Sequence, residues 1–273
     1  MALFSQAQDY SNYSSLGNRA QQLVKTYPYL VKLSSLTKTD GGKDIWMLTI
    51  GTGNAAQKPA VAVVGGVEGA HLLGVELAIG FAEELLAKSN TDSIKNLLNK
   101  QTFYVFPNLS PDATEQYFAK LKYARSGNAK PTDDDRDGKT NEDGFDDLDG
   151  NGSITFMRRK NPNGRYKLDS TDPRRMIQVG PDEQGEYEML GYEGLDNDGD
   201  GLINEDGEGF YDPNRDWAWN WQPNYIQGGA YKYPFSVPEN RAVADFVMKH
   251  PNIAAAQSYH NNGGMILRGP GAA

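Results

Sequence analysis

The chain contains no cysteine, which removes disulfides, iron–sulfur clusters and thiolate zinc sites together. Any transition metal must then be held by histidine, aspartate or glutamate. Histidine itself is scarce, with three in 273 residues, so few ligand combinations exist. No stretch of about 18 apolar residues occurs, which leaves no candidate membrane span. Positive charge is in deficit: 27 Lys and Arg face 36 Asp and Glu, for a formal net charge of −9. A phosphate backbone is repelled on the whole, which argues against nucleic acid as a partner. The N-terminus lacks a basic start followed by an apolar stretch, so no signal peptide is visible.

The charge that is present is unevenly spread. Residues 133–212 carry 23 acidic against 9 basic side chains, a net of −14, while the remainder is net positive at +5. An acidic, Gly-rich middle cannot supply a main core, and it reads as an insertion at about 131–212 in a single domain spanning 1–273. Around it, helix and strand alternate. Helical spacing is read over residues 16–27 and 72–88, and short apolar runs over 45–50, 60–64 and 102–106 read as strands. Ser236-Val237-Pro238-Glu239 has the pattern of a capping box opening a helix, and residues 253–258 and 265–268 read as two further strands. The expected class is α/β, a mixed, largely parallel central sheet flanked by helices, with ligands at the strand ends. The chain stops soon after an apolar segment, which suggests a domain whose C-terminal part is missing.

Two of the three histidines fall at such strand ends. Glu68 and His71 follow the run at 60–64, and an i, i+3 spacing can turn both side chains to one side; His260 follows the run at 253–258. Two imidazoles and a carboxylate match a three-ligand catalytic zinc site, although a solitary Glu-x-x-His is equally the pattern of a surface carboxylate beside a helix-terminal histidine. His250, before Pro251, reads as a helix C-terminal cation.

The order of motifs resembles that of the zinc carboxypeptidases, the carboxypeptidase A-like metallopeptidases. The similarity is carried by Lys58-Pro59-Ala60 leading into Gly65-Gly66-Val67, by Phe106-Pro107-Asn108-Leu109-Ser110-Pro111-Asp112, and by Met157-Arg158-Arg159-Lys160. Asp212-Pro213-Asn214-Arg215-Asp216-Trp217, Phe235-Ser236-Val237-Pro238-Glu239 and Ser258-Tyr259-His260 complete it. The resemblance implies zinc held by Glu68, His71 and His260, an oxyanion-stabilising Arg159, and Asn214 with Arg215 gripping the substrate's terminal carboxylate. The residue types suit these tasks, since a forked guanidinium pairs with a planar carboxylate and a fixed cation stabilises developing negative charge. The pattern departs from the family in one respect that matters: the first pair normally runs His-x-x-Glu and here runs Glu68-x-x-His71. Ser110 and Ala113 stand where Asn and Gly are usual, and no residue can be nominated as general base.

Within the acidic middle, Asp133-x-Asp135-x-Asp137-Gly138 continues to Asn141-Glu142-Asp143-Gly144. Asp196-x-Asp198-x-Asp200-Gly201 continues in the same register to Asn204-Glu205-Asp206-Gly207, and Asp147-x-Asp149-x-Asn151-Gly152 is a shorter copy. Alternating oxygen donors followed by a glycine turn suit calcium. The twelfth position is not a glutamate in any copy, so Asp143 and Asp206 are the expected borrowed ligands. Calcium loops point to a periplasmic or extracellular setting.

Two functions from different classes follow. One is a zinc-dependent carboxypeptidase-type peptide hydrolase acting on peptide or protein C-termini. The other is a catalytically impaired relative that binds peptide or cell-surface ligands without turnover, for which the reversed pair is the best support. A calcium-stabilised adhesion module is a weaker third.

Overall fold

The protein is described by a computed structural model covering residues 10–133, 136–260 and 265–267. In chain order the elements are α1 (Tyr13–Thr26), β1 (Val31–Lys38), β2 (Asp44–Ile50), β3 (Ala60–Val64), α2 (Leu72–Ala87), α3 (Asp92–Lys100), β4 (Thr102–Phe106) and α4 (Pro111–Glu115). These are followed by β5 (Phe156–Lys160), β6 (Tyr166–Leu168), β7 (Met176–Gln178), β8 (Tyr187–Tyr192), α5 (Pro238–Lys249) and β9 (Ile253–Ser258). The chain divides into two compact units, one drawn from Met1–Phe118, Ala124–Lys130 and Glu208–Ala273, the other from Ala119–Tyr123 and Pro131–Gly207.

The first unit is built on a five-stranded sheet in the order β1-β2-β4-β3-β9. The pairings β1/β2 and β2/β4 are antiparallel, and β3 is parallel to both β4 and β9. The sheet is therefore mixed, with a parallel block on the β9 side. Successive residues of its strands feed opposite faces, as a period of two requires. Leu48, Ile50, Val63, Phe103 and Val105 pack under α1, α2 and α3 through Leu16, Ala20, Val75, Ile79 and Leu98. Met47, Ala62, Tyr104 and Phe106 turn the other way, toward Val243 and Phe246 of α5. The Phe246 ring meets Tyr104 and Phe106 edge-on at 5.0 and 5.7 Å. Burial of each such side chain contributes about 1.5–3 kcal/mol, which makes this three-layer core the main source of stability. Among the described residues β9 is the last strand of the sheet, with Ala254 to Ser258 all exposed.

Local chemistry sets the element ends. α1 begins three residues earlier than the apolar spacing indicates because Asn12 caps it, its Oδ1 accepting from Ser15 N at 2.8 Å. β1 and α3 are additions to the sequence reading. The expected capping box at Ser236 is corrected: Val237 is the N-cap residue and no side chain of α5 caps its own helix. Asp216, fully buried, takes that role from a distance, accepting Ser236 N, Ser236 Oγ and Val237 N at 2.9, 2.9 and 3.1 Å. A carboxylate there also meets the positive end of the helix dipole. The strand expected at 265–268 does not form over residues 265–267; Arg268 lies outside the described residues.

The second unit carries a four-stranded antiparallel sheet, β5-β8-β6-β7, together with the acidic loops.

Candidate metal centre

The parallel block fixes the site. Val64 at the end of β3 is in register with Ser258 at the end of β9, so the segments leaving the two strands emerge side by side at the carboxyl edge of the sheet, where α/β folds place ligands. Tyr259 N donates to Val64 O at 2.8 Å, which extends this alignment by one residue and delivers His260 next to the β3–α2 connection. That connection is tightly constrained. Gly66 has φ +62, and a Cβ on it would lie 2.4 Å from Asn108 Oδ1. A Cβ on Gly69 would lie 2.1 Å from the Ala113 Cβ, so the alanine at 113 makes glycine obligatory at 69. Ser110 Oγ donates to Val67 O at 2.7 Å and ties the two loops together. His71 then becomes the N-cap residue of α2, its N–H donating to Glu68 O at 3.1 Å.

The result is a convergence on Glu68. Its Oε2 is in ion-pair contact with His71 Nδ1, and its Oε1 lies 4.0 Å from His260 Nδ1. His71 Nδ1 is sealed from solvent, and among the described residues its contact with Glu68 is not matched by an aligned hydrogen bond. Two imidazoles and one carboxylate are a donor set suited in chemistry to zinc, and each imidazole lies near one oxygen of Glu68. The trio is more open than the acidic groups below, whose ligand atoms all fall within 4.8 Å of one another.

A fourth side chain reaches the same point. Asn214 Nδ2 donates to Glu68 Oε1 at 2.9 Å. It is aimed by the 3₁₀ turn Pro213–Arg215, where Asp212 Oδ1 accepts Asn214 N at 2.7 Å. Burial, together with the nearby Glu68 charge, raises the Asp212 carboxyl to about 6, although Arg215 opposes this. Arg215 turns its Nη1 onto Asn214 O at 3.2 Å. The sequence resemblance assigns Asn214 to a substrate carboxylate; in the structure its amide is engaged with Glu68.

Arg159 belongs to the second unit. It is on β5, with its side chain 68% exposed and its Nε paired with Glu188 at 2.5 Å. Arg125, which carries no signal in the sequence, is 6% exposed in the first unit, and its guanidinium bridges Gly127 O, Asn128 O and Glu208. His250 lies at the C-terminus of α5 as read, its Nδ1 against Phe246 O at 2.7 Å and its ring stacked on Phe246.

In the second unit, Asp196, Asp198 and Asp200 form one close group and Asp147, Asp149 and Glu193 another. Glu193 is 4% exposed and was invisible to the local pattern, being more than 40 residues away. Asn151 closes its loop by donating its N–H to Asp147 and Asp149, both at 3.0 Å. Asp133 and Asp137 lie in the first repeat, and Asp135 falls outside the described residues. Asp143 and Asp206 are both buried.

The profile of the zinc carboxypeptidase family matches residues 18–273. The chain belongs to the zinc carboxypeptidase family. A zinc carboxypeptidase of Saccharothrix mutabilis subsp. capreolus is 28% identical over 109 residues, 39% of this chain and 25% of that protein. Carboxypeptidase D of Anas platyrhynchos is 27% identical over 110 residues, 39% of this chain and 8% of the relative. The carboxypeptidase A of Helicoverpa armigera has a similar fold, with TM-score 0.55 at 14% identity over 91% of this chain and 45% of that one. Thrombin activatable fibrinolysis inhibitor gives 0.52 at 13% identity, over 91% and 46%. The matched regions thus span less than half the length of these relatives. Among the described residues no helix is long and apolar enough to cross a membrane.

Proposed function

We propose that this zinc carboxypeptidase family member is a zinc-dependent peptide hydrolase acting at a free C-terminal carboxylate. Glu68, His71 and His260 would hold the metal, and Arg215 with Asn214 would receive the substrate carboxylate. The observation that carries the reading is the meeting of both imidazoles on the two oxygens of Glu68. Zinc in such a position supplies Lewis acidity at the scissile carbonyl. The chain's own contribution is orientation: Asp212 fixes Asn214, Asn214 fixes Glu68, and Gly66 and Gly69 let the β3–α2 connection close over the strand end. A donor locked onto a ligand carboxylate raises the precision of the site and its metal affinity.

The engagement of Asn214 with Glu68 also favours a second reading, a family member that binds peptide C-termini without turnover, since the amide is turned to the metal ligand. Zinc-edge anomalous diffraction combined with release of C-terminal residues from peptides separates the two. Zinc at Glu68 with turnover supports the hydrolase, zinc or peptide binding without turnover supports the binder, and an ion-free trio without either removes both. Residues 131–212 are read as an insertion whose acidic loops bind structural calcium, through Asp133, Asp135, Asp137, Asp143, Asp147, Asp149, Asn151, Asp196, Asp198, Asp200 and Asp206. Such loops suit a periplasmic or extracellular protein.

A further inference from the structure

The α5 face of the first unit's sheet is open at one end. Register sets Lys32 of β1 opposite Thr49 of β2, and Thr49 opposite Tyr104 of β4, so these three side chains form one row on one face. On that face Met47 and Tyr104 pack toward Phe246 of α5. The helix stops at Lys249, with the Phe246 ring edge-on to Tyr104 at 5.0 Å and the His250 ring stacked on Phe246. His250 Nδ1–H donates to Phe246 O at 2.7 Å, which fixes that ring as a wall. Between these rings, the row and the loop that follows β2 lies a cavity of about 470 Å³, within the span of about 300–1,000 Å³ usual for small-molecule sites. Ile50 pairs with Phe103 at the amino end of β4, so the cavity lies toward the end of the sheet opposite the candidate metal centre and shares no lining residue with it.

The polar groups of the lining lack partners. Tyr104 is 2% exposed, and neither its hydroxyl nor that of Thr49 has a hydrogen-bond partner among the described residues. The Tyr104 oxygen is not sealed from solvent, so a buried ring turns its one polar atom into the cavity. Lys32 makes no ion pair among the described residues. Donors left unmatched in a largely apolar recess are costly until something accepts from them. Charge narrows what that acceptor is. The chain has 36 Asp and Glu, yet none of them lines this cavity, and its one full positive charge is the Lys32 ammonium.

We propose that this cavity binds a small aromatic carboxylate. Its ring lies against Met47, Phe246 and His250, where stacked or edge-on contact is favourable. Its carboxylate meets Lys32 Nζ and the hydroxyls of Thr49 and Tyr104, all of which can donate. An amine is disfavoured by the same lining, since no carboxylate is present to receive it, and an amino acid carrying both charges bears that cost too. The site does not depend on peptide hydrolysis at Glu68.

The test is calorimetric titration of the full chain with naphthoate, and with its neutral and cationic analogues naphthamide and naphthylmethylamine, for wild type, Lys32→Met, Tyr104→Phe and Arg215→Ala. Wild type is expected to bind naphthoate at least about tenfold more tightly than either analogue. Lys32→Met and Tyr104→Phe each weaken naphthoate by about 3–10-fold, the effect of losing one hydrogen bond to an ionised group. Arg215→Ala, which alters the proposed substrate subsite, leaves that affinity unchanged. Lys32 is exposed, so Lys32→Met retains the fold and decides the matter if Tyr104→Phe does not fold. Equal affinity for acid and amide, no loss in Lys32→Met or in folded Tyr104→Phe, or no binding at millimolar naphthoate overturns the proposal. Weakening by Arg215→Ala alone puts naphthoate at the substrate subsite and overturns it as well.

Discussion

Glu239 in the first turn of α5 offers a quantitative test of how the first unit is held together. It is 1% exposed, its Oε1 accepts Asn128 Nδ2 at 3.3 Å, and its Oε2 meets no hydrogen-bond partner. Burial raises its carboxyl to about 7, with smaller contributions from the charges of Asp112 and Asp40. Those two carboxylates are paired with Lys43 and Lys130 at 3.0 and 3.1 Å, which limits their effect. An unfolded chain releases the proton near 4.5, whereas the folded chain retains it until about 7. The contribution of this group is therefore fully present below the unfolded value and is lost as pH rises between the two, by about 2–3 kcal/mol from about pH 5 to about pH 8. Glu239→Gln keeps the shape and does not titrate. Urea unfolding at fixed calcium and zinc is expected to show the variant close to wild type at the acidic end and more stable by about 2 kcal/mol at the alkaline end. A difference that does not change with pH, or a variant less stable at alkaline pH, would refute the assignment of a buried, neutral carboxyl at this position.

Asn214→Ala removes the hydrogen bond to Glu68, and zinc affinity measured by chelator competition is expected to fall about 10–100-fold; unchanged affinity would mean that Asn214 serves substrate alone. Gly69→Ala is expected to cost about 1–3 kcal/mol by overpacking against Ala113, and part of that loss should return in the Ala113→Gly background, as a double-mutant cycle in chemical denaturation would show. Asp216→Ala strips three hydrogen bonds from the start of α5, and a loss of about 2 kcal/mol or more is expected in thermal or urea melts. A near-neutral effect there would indicate that water replaces the carboxylate.

The strands that frame the site were legible because their chemistry is local. β3 and β4 are short apolar runs closed by Gly65 and Pro107, β9 is a short run begun just after Pro251, and the ends of all three coincide with the sequence reading. β1 is the converse case: Val31-Lys32-Leu33-Ser34-Ser35-Leu36-Thr37-Lys38 is too polar to stand out alone and becomes a strand through pairing with β2. α3 is a short helix whose only fully buried residue is Leu98, so its apolar stripe is brief. Glu68, His71 and His260 could be singled out as ligand types at strand ends, but their meeting depends on the register between β3 and β9, which no local pattern encodes. Partners separated by long stretches of chain stayed hidden for the same reason: Asp216 capping α5, Asn214 reaching Glu68 and Glu193 closing the Asp147 loop are all contacts between residues chosen by tertiary structure. The acidic repeats revealed oxygen donors through their spacing, whereas the burial of Asp143 and Asp206 is set by how the loops pack.

The exposed flank of β9 has a practical consequence for anyone handling this polypeptide. Among the described residues it pairs only with β3, and its small side chains, Ala254, Ala255 and Ala256, put little bulk in the way of an approaching backbone. An exposed, uncharged strand of this kind is a template for intermolecular ladder formation. Concentrated solutions should accordingly be checked by light scattering for self-association, and a lysine introduced at Ala255 is the economical way to suppress it.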